Sequence, residues 1–364
     1  MSPSDSKRFI AAVCLLFAIT ALAVGCGGSD DGGGGSKIAL LLPENSTPRY
    51  ESADRPYFEE KVEDLCPDCE ILYSNATEDA SKQQSQVEAA LTQGADVLVL
   101  DPVDAASAAA SVQKADAQGV PVLSYDRLVL GAEVAVYVSF DNVRVGELQA
   151  ETLSKKLKED GSPKGPIVKI NGDPADSNAT LFKEGSNKGF DASGVEIAKE
   201  YDTPEWSATN AQNEMQQAIT ALGKDGFAGV YAANDDTGGG AIAAMKSAGL
   251  DPEERPTTGQ DATVAGVQRI LVGQQYMTVY KAIKPQASIS AEIAVDLANG
   301  KEVPQGKITD ELDNEAGKTP SILLEPVAVT KDNIKQTVIA DEFITADELC
   351  TSAYAKACEE AGIS

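Results

Sequence analysis

Residues 124–142 read SYDRLVLGAEVAVYVSFDN: two short runs rich in Val and Leu, separated by a glycine turn, with Asp126 and Arg127 closing the first and Asp141 and Asn142 closing the second. Compact apolar runs that end in Asp or Asn read as buried strands feeding polar loops. The chain contains no histidine. The charged groups at these strand ends therefore work without the usual neutral-pH proton shuttle, leaving carboxylates, amides, guanidinium and ammonium groups.

The same pattern extends in both directions. Strand candidates are KIALLL (37–42), CEILYSN (69–75), ADVLVLDP (95–102), VPVLSYD (120–126), VAVYVSF (134–140), GPIVKING (165–172), VEIAKEY (195–201), AGVYAAND (228–235), PTTGQD (256–261) and YMTVYK (276–281). Amphipathic segments such as EDASKQQSQVEAALTQG and NAQNEMQQAITALGKDG lie between most of them and carry glycines suited to helix ends. Strand and helix alternating at a repeat of about 25–30 residues predicts an α/β fold with parallel sheets covered on both faces. At 364 residues the chain is long enough for two such sheets.

Asp101, Asp126, Asn171, Asn234, Asp235 and Asp261 all fall where a strand candidate ends, the side of an open α/β sheet on which ligands gather. Each could simply cap the next helix. Arg127, Trp206 and Lys281 cannot serve as N-terminal caps, and together with the acids and amides they point to a polar pocket. Asp101 and Asp235 are read as caps or supporting groups.

Acidic residues number 57 against 30 basic ones, a formal charge of −27. Such a surface repels polyanions, so nucleic acid is not an expected partner. At the N-terminus a basic start at Lys7 and Arg8 precedes an apolar run over residues 9–24 and small residues before Cys26, the layout of an export signal over residues 1–25. The string AVGC resembles the lipobox of bacterial lipoproteins, although Ala23 stands where Leu is usual. The resemblance implies that Cys26 is acylated and holds the protein on the membrane. The Gly-rich residues 26–36 read as a flexible tether. Four further cysteines, Cys66, Cys69, Cys350 and Cys358, read as two disulfides in an exported chain. Pairing is not fixed by the sequence, with proximity favouring 66 with 69 and 350 with 358. The CPDC pair follows a helix instead of opening one, which argues against a redox motif, and the wide second spacing argues against zinc. No metal or cofactor is expected.

The strings SYDR with SFDNVRVGELQA, NGDPADSNATLF, AANDDTGGGAI, TGQDATVAGVQRI and MTVYK, taken in this order, resemble the D-xylose-binding proteins of bacterial ABC sugar importers, within the type 1 periplasmic binding protein family. The resemblance runs from about residue 37 to about residue 343. It implies two Rossmann-like lobes joined by a three-strand hinge, with a monosaccharide held between them and handed to a membrane permease. The lobes would comprise residues 37–139 with 282–325, and residues 140–281 with 326–343, leaving 344–364 as a tail. The expected protein is a monomer and not an enzyme.

Transferred residue by residue, the resemblance implies sugar contacts from Asp126, Arg127, Asp176, Asn178, Asn234, Asp261, Lys281 and Trp206. Arg49 and Tyr50 match an Arg and an aromatic position that is Trp in the family. The segment around them carries one extra residue and places Pro56 inside the expected helix, which predicts a slip of register or a kink. Carboxylates and amides suit hydroxyl edges, while aromatic rings suit the C–H faces of a pyranose. The alternatives are a glycoside hydrolase using Asp126 and Asp261, a sugar-responsive repressor, which would need a basic DNA-binding N-terminus, and the same fold holding another aldose or a signalling molecule.

Overall fold

The computed structural model describes residues 35–363. Cys26, the signal and most of the proposed tether lie outside the described residues. The first half of the chain builds β1 (Lys37–Leu42), α1 (Arg55–Leu65), β2 (Glu70–Asn75), α2 (Ala80–Thr92), β3 (Val97–Leu100), α3 (Ala109–Asp116), β4 (Val122–Tyr125) and β5 (Val136–Phe140). A second run supplies α4 (Asn142–Glu159), β6 (Ile167–Asn171), α5 (Ser177–Ser193), β7 (Ile197–Asp202), α6 (Ala208–Leu222), β8 (Gly229–Ala232), α7 (Asp235–Ser247), α8 (Val264–Leu271) and β9 (Met277–Tyr280). The chain then returns through α9 (Ile283–Ala298), β10 (Asp310–Asp313), β11 (Lys318–Leu324) and β12 (Val327–Thr330), and ends in α10 (Ala346–Leu349) and α11 (Ala355–Glu360).

Two sheets result. The first has the order β10-β11-β5-β4-β3-β1-β2 and is parallel except for the β10–β11 edge. Its interior strand β3, VLVL, is buried throughout because helices cover both faces: α1 and α9 on one, α2 and α3 on the other. The second sheet is the parallel set β7-β6-β8, beside which β9 and β12 form an antiparallel ribbon. The chain passes between the two sheets after β5, after β9 and between β11 and β12.

The segment 256–261, expected as a strand, makes only one isolated bridge, Val230 to Thr257. Backbone bonds still tie it to β8 and β9, among them the Thr258 N–H to the Val230 carbonyl at 3.1 Å and the Asp261 N–H to the Val279 carbonyl at 2.9 Å, and side chains reinforce them. Thr258 Oγ1 bonds both the N–H and the carbonyl of Ala232 at 2.9 Å, while Gln149 Nε2 spans to the Ala232 and Gly259 carbonyls at 3.0 Å. Near Arg49, a wide π-type turn, Tyr50–Asp54, runs directly into α1. Pro56 falls in the first turn of α1, where a missing N–H breaks no helical bond.

Both disulfides are formed, Cys66–Cys69 and Cys350–Cys358. The tail is part of the body: Ile344, Leu349, Cys358 and Ile363 bury against Val267, Ile270 and Leu271 of α8. Gln268 Nε2 also donates to the Leu349 carbonyl at 3.1 Å.

Leu98, at 0% exposure in the interior strand β3, should cost about 2–5 kcal/mol on replacement by Ala. The 44%-exposed Leu65 should cost under about 0.5 kcal/mol. Urea unfolding of the two variants provides the comparison, and equal losses would place the core elsewhere.

Candidate functional site

The polar ends of both sheets converge on one cavity. All ten residues named from the sequence line it: Arg49, Tyr50, Asp126, Arg127, Asp176, Asn178, Trp206, Asn234, Asp261 and Lys281. Thr47, Phe182 and Gln260 complete the wall. Phe182 and Gln260 sit inside strings that carry the resemblance, NATLF and TGQD, but apolar or amide side chains at those places gave no chemical signal of their own.

Asp126 organises the side made by the first sheet. Its φ of +54° ends β4 in a left-handed turn, a conformation that costs a non-glycine residue about 1 kcal/mol or more. That turn aims the carboxylate and the carbonyl in useful directions. The carboxylate accepts from Arg49 Nη1 at 3.2 Å, Tyr50 Oη at 3.1 Å and Gln286 Nε2 at 3.3 Å. The carbonyl accepts from Tyr137 Oη at 2.8 Å, Ser139 Oγ at 2.7 Å and Asn178 Nδ2 at 3.0 Å. Arg49 is itself clamped by Asp54 through two contacts of 2.6 and 2.9 Å. Burial opposes ionisation of Asp126, yet Arg49, Lys281 and Arg127 outweigh it and hold the carboxyl below the usual range.

The two neighbours in YDR serve different partners. Arg127 Nε lies 3.0 Å from Asp176 Oδ2, and poor alignment makes this an ion pair instead of a hydrogen bond. Asp176 caps α5 by accepting from the Asn178 N–H at 2.8 Å, and accepts Trp206 Nε1 at 3.1 Å. Burial raises the Asp176 carboxyl above its ordinary value, with Arg127 opposing the shift.

Asn178 has less to offer than its type suggests. Its carbonyl oxygen already accepts from Asn142 Nδ2 at 2.8 Å, and one amide hydrogen goes to the Asp126 carbonyl, leaving one for the cavity. Asn234 caps α7 through its oxygen, at 2.9 Å from the Thr237 N–H, so it too presents mainly its NH₂ group.

Trp206 enters from a short helical turn at φ +49°, following Glu205 at +60°. Its ring meets Phe182 edge-on at 6.3 Å. Asp261, at φ +91°, stands 3.6 Å from Lys281 Nζ. Lys281 also lies within 5.6 Å of the Phe140 ring and 5.7 Å of the Phe182 ring. Burial raises the Asp261 carboxyl, against the pull of Lys281.

Asn171, expected in the pocket, does not line it; nor do Asp101 and Asp235, for which a capping or supporting role is expected. Asn171 is spent on Glu200, Tyr201 and Asp202 at 3.0 Å, tying β6 to β7. Asp235 braces the wall from behind, accepting from the Thr263 N–H at 2.8 Å and Gln275 Nε2 at 2.7 Å. Asp101 lies beneath Arg127 with Nε 3.7 Å from its Oδ1; it caps no helix.

Trp206 is the only tryptophan in the chain, and a Cβ on Gly172 would fall 2.0 Å from its ring. Gly172→Ala should therefore push the indole out, red-shift the emission and cost about 1–3 kcal/mol of stability. An unchanged spectrum would show that the ring is held by other contacts.

Comparison with known proteins follows this geometry. The periplasmic binding protein domain model matches residues 38–302. The D-xylose-binding periplasmic protein of Escherichia coli K12 is 38% identical over 86% of this chain and 92% of its own length. Its Haemophilus influenzae counterpart is 37% identical over the same shares. An ABC transporter solute binding protein from Clostridium phytofermentans, solved with bound beta-D-glucose, superposes with a TM-score of 0.77 at 28% identity, covering 86% of this chain and all (100%) of that one. The family is one of binding proteins, not of enzymes, and with its parallel sheets and strand-end cavity this chain belongs to the periplasmic binding protein family.

Proposed function

We propose that the protein captures a neutral aldose, D-xylose first among them, and delivers it to an ABC import permease while tethered to the outer face of the cytoplasmic membrane through acylated Cys26. The observation that carries the sugar assignment is the lining. Three cations, three carboxylates and three amides share one small cavity with Trp206, Phe182 and Tyr50. Hydroxyls that donate and accept satisfy such a wall, and C–H faces suit the rings. The names of the two D-xylose-binding relatives support the pentose. A relative from Rhizobium radiobacter, 32% identical and named for multiple sugars, argues for testing hexoses alongside.

In this reading Asp126, Asp176 and Asp261 accept from sugar hydroxyls, while Arg49, Arg127, Lys281, Asn178 and Asn234 donate. Groups from both sheets must be engaged, because only contacts made better in the closed form can shift the equilibrium between two lobes (residues 37–139 with 282–325, and 140–281 with 326–343). A pentose has about ten heavy atoms. At about −0.8 kcal/mol per atom, the dissociation constant is of micromolar order.

Calorimetric titration of protein trimmed before the tether, against pentoses and hexoses, should give tightest binding for D-xylose or a close epimer. No heat with any monosaccharide would end the assignment. Asp261→Asn should weaken binding by about 1.5–3 kcal/mol, roughly tenfold or more, without lowering the unfolding midpoint. Unchanged affinity would remove Asp261 from the sugar contacts.

A further inference from the structure

Three buried carboxylate oxygens that lack a hydrogen-bond partner among the described residues, Glu44 Oε1 and both of Asp101, surround the guanidinium of Arg127, whose Nε likewise lacks one. Glu44 and Asp101 are 0% exposed. Arg127 faces three carboxylates, with Nε 3.0 Å from Asp176 and 3.7 Å from Asp101, and Nη2 3.9 Å from Glu44. Their origins differ. Glu44 follows β1 and Asp101 ends the β3 segment, so both stand on the first sheet with Arg127. Asp176 caps α5, which packs on the second sheet. The first sheet thus carries its own counter-ions for Arg127, and the second brings a competitor that takes the nearer position on the same nitrogen.

We propose that Arg127 passes from Asp101 to Asp176 when the cavity closes on its ligand, and that Asp101 takes up one proton in the exchange. Capture is then coupled to proton uptake and opening to proton loss. The exchange rests on the closure around a sugar proposed above. Atoms balance simply: a solvent proton joins the Asp101 carboxylate on closing and returns on opening.

The physical reason is the absence of donors. An ionised carboxylate sealed from water with neither oxygen hydrogen-bonded is costly, and the group neutralises instead. The backbone offers no relief at this place, since the Asp101 N–H is spent on the Leu41 carbonyl at 3.0 Å. Gln83 of α2 reaches only the Asp101 backbone carbonyl, at 2.7 Å. The charged groups facing Asp101 from the first sheet are Arg127, Asp126, Arg49 and Glu44, with the phenols of Tyr50 and Tyr137 nearby; Asp176 faces it from α5. Glu78, across Glu44, feels the same Arg127 and is itself pushed by burial to about 7. Burial raises the Asp101 carboxyl well above its usual value, against Arg127. For a group raised in the closed state, the added stability is full below its open-state pKa and fades as pH climbs through the closed-state pKa. Affinity therefore falls with rising pH.

The test is titration of the tightest-binding sugar into wild-type and Asp101→Asn protein, in buffers of different ionisation enthalpy, from about pH 5 to about pH 8. Asp101→Asn should bind while taking up about one proton fewer per sugar, with a flatter pH dependence of Kd. Glu78→Gln should remove only its own share and keep the Asp101 contribution. Equal uptake by wild type and Asp101→Asn would overturn the exchange while leaving sugar binding intact. Absence of binding by every sugar would overturn closure and the exchange together. Should Asp101→Asn fail to fold, the infrared difference between sugar-bound and free wild type provides a second measure. A protonated-carboxyl band that persists in Glu78→Gln is expected on binding, and its absence would reject the proposal.

Discussion

A single backbone turn supports most of the cavity. Because Asp126 adopts a left-handed φ of +54°, β4 stops and both polar ends of that residue become available to other elements. Its carboxylate fixes the Tyr50–Asp54 turn and α9 through Arg49, Tyr50 and Gln286, and its carbonyl fixes β5 and α5 through Tyr137, Ser139 and Asn178. Six hydrogen bonds of net worth about 1 kcal/mol or more apiece easily outweigh a local backbone cost of that size. Asp261 and Trp206 repeat the arrangement, each on the wall and each at positive φ. Strain is concentrated where side chains must leave the direction their strand or loop would give them.

The interior is unbalanced in charge. Glu44, Asp54, Asp101, Asp126, Asp176 and Asp261 are buried in one connected region with only Arg49, Arg127 and Lys281 to oppose them. The carboxyls divide according to how many cations they meet. Asp126, beside three, is held low; Asp101, Asp176 and Asp261 are raised by burial that their partners do not fully offset. A neutral ligand rich in hydroxyls suits such a wall because it supplies donors without adding charge.

The alternation of strands and helices was legible because parallel strands covered on both faces must be nearly all apolar, and runs such as VLVL have no other reading. β10 escaped because DELD is an exposed edge with a polar pattern, and β11 because Pro320 interrupts it; the β5 ladder starts only at Ser321, so the proline is tolerated. The segment 256–261 failed in the opposite sense: it divides its backbone bonds between Val230 on one side and Tyr276 and Val279 on the other without a continuous ladder, and Gln149 and Thr258 add side-chain ties, an arrangement that strand propensity cannot reveal. Within the cavity, charged residues at strand ends announced themselves. Phe182 and Gln260 did not, and Asn171 announced a role it does not have, because a strand-end amide can face the neighbouring strand as easily as the opening.

The covered α8 face has a practical meaning for anyone who wishes to attach this molecule to a surface. Ile363, one residue from the end of the chain, is 3% exposed and packs in the same cluster as Ala262, the neighbour of Asp261. A purification handle or fluorophore fused at that end would pull on the very wall that meets the guest molecule.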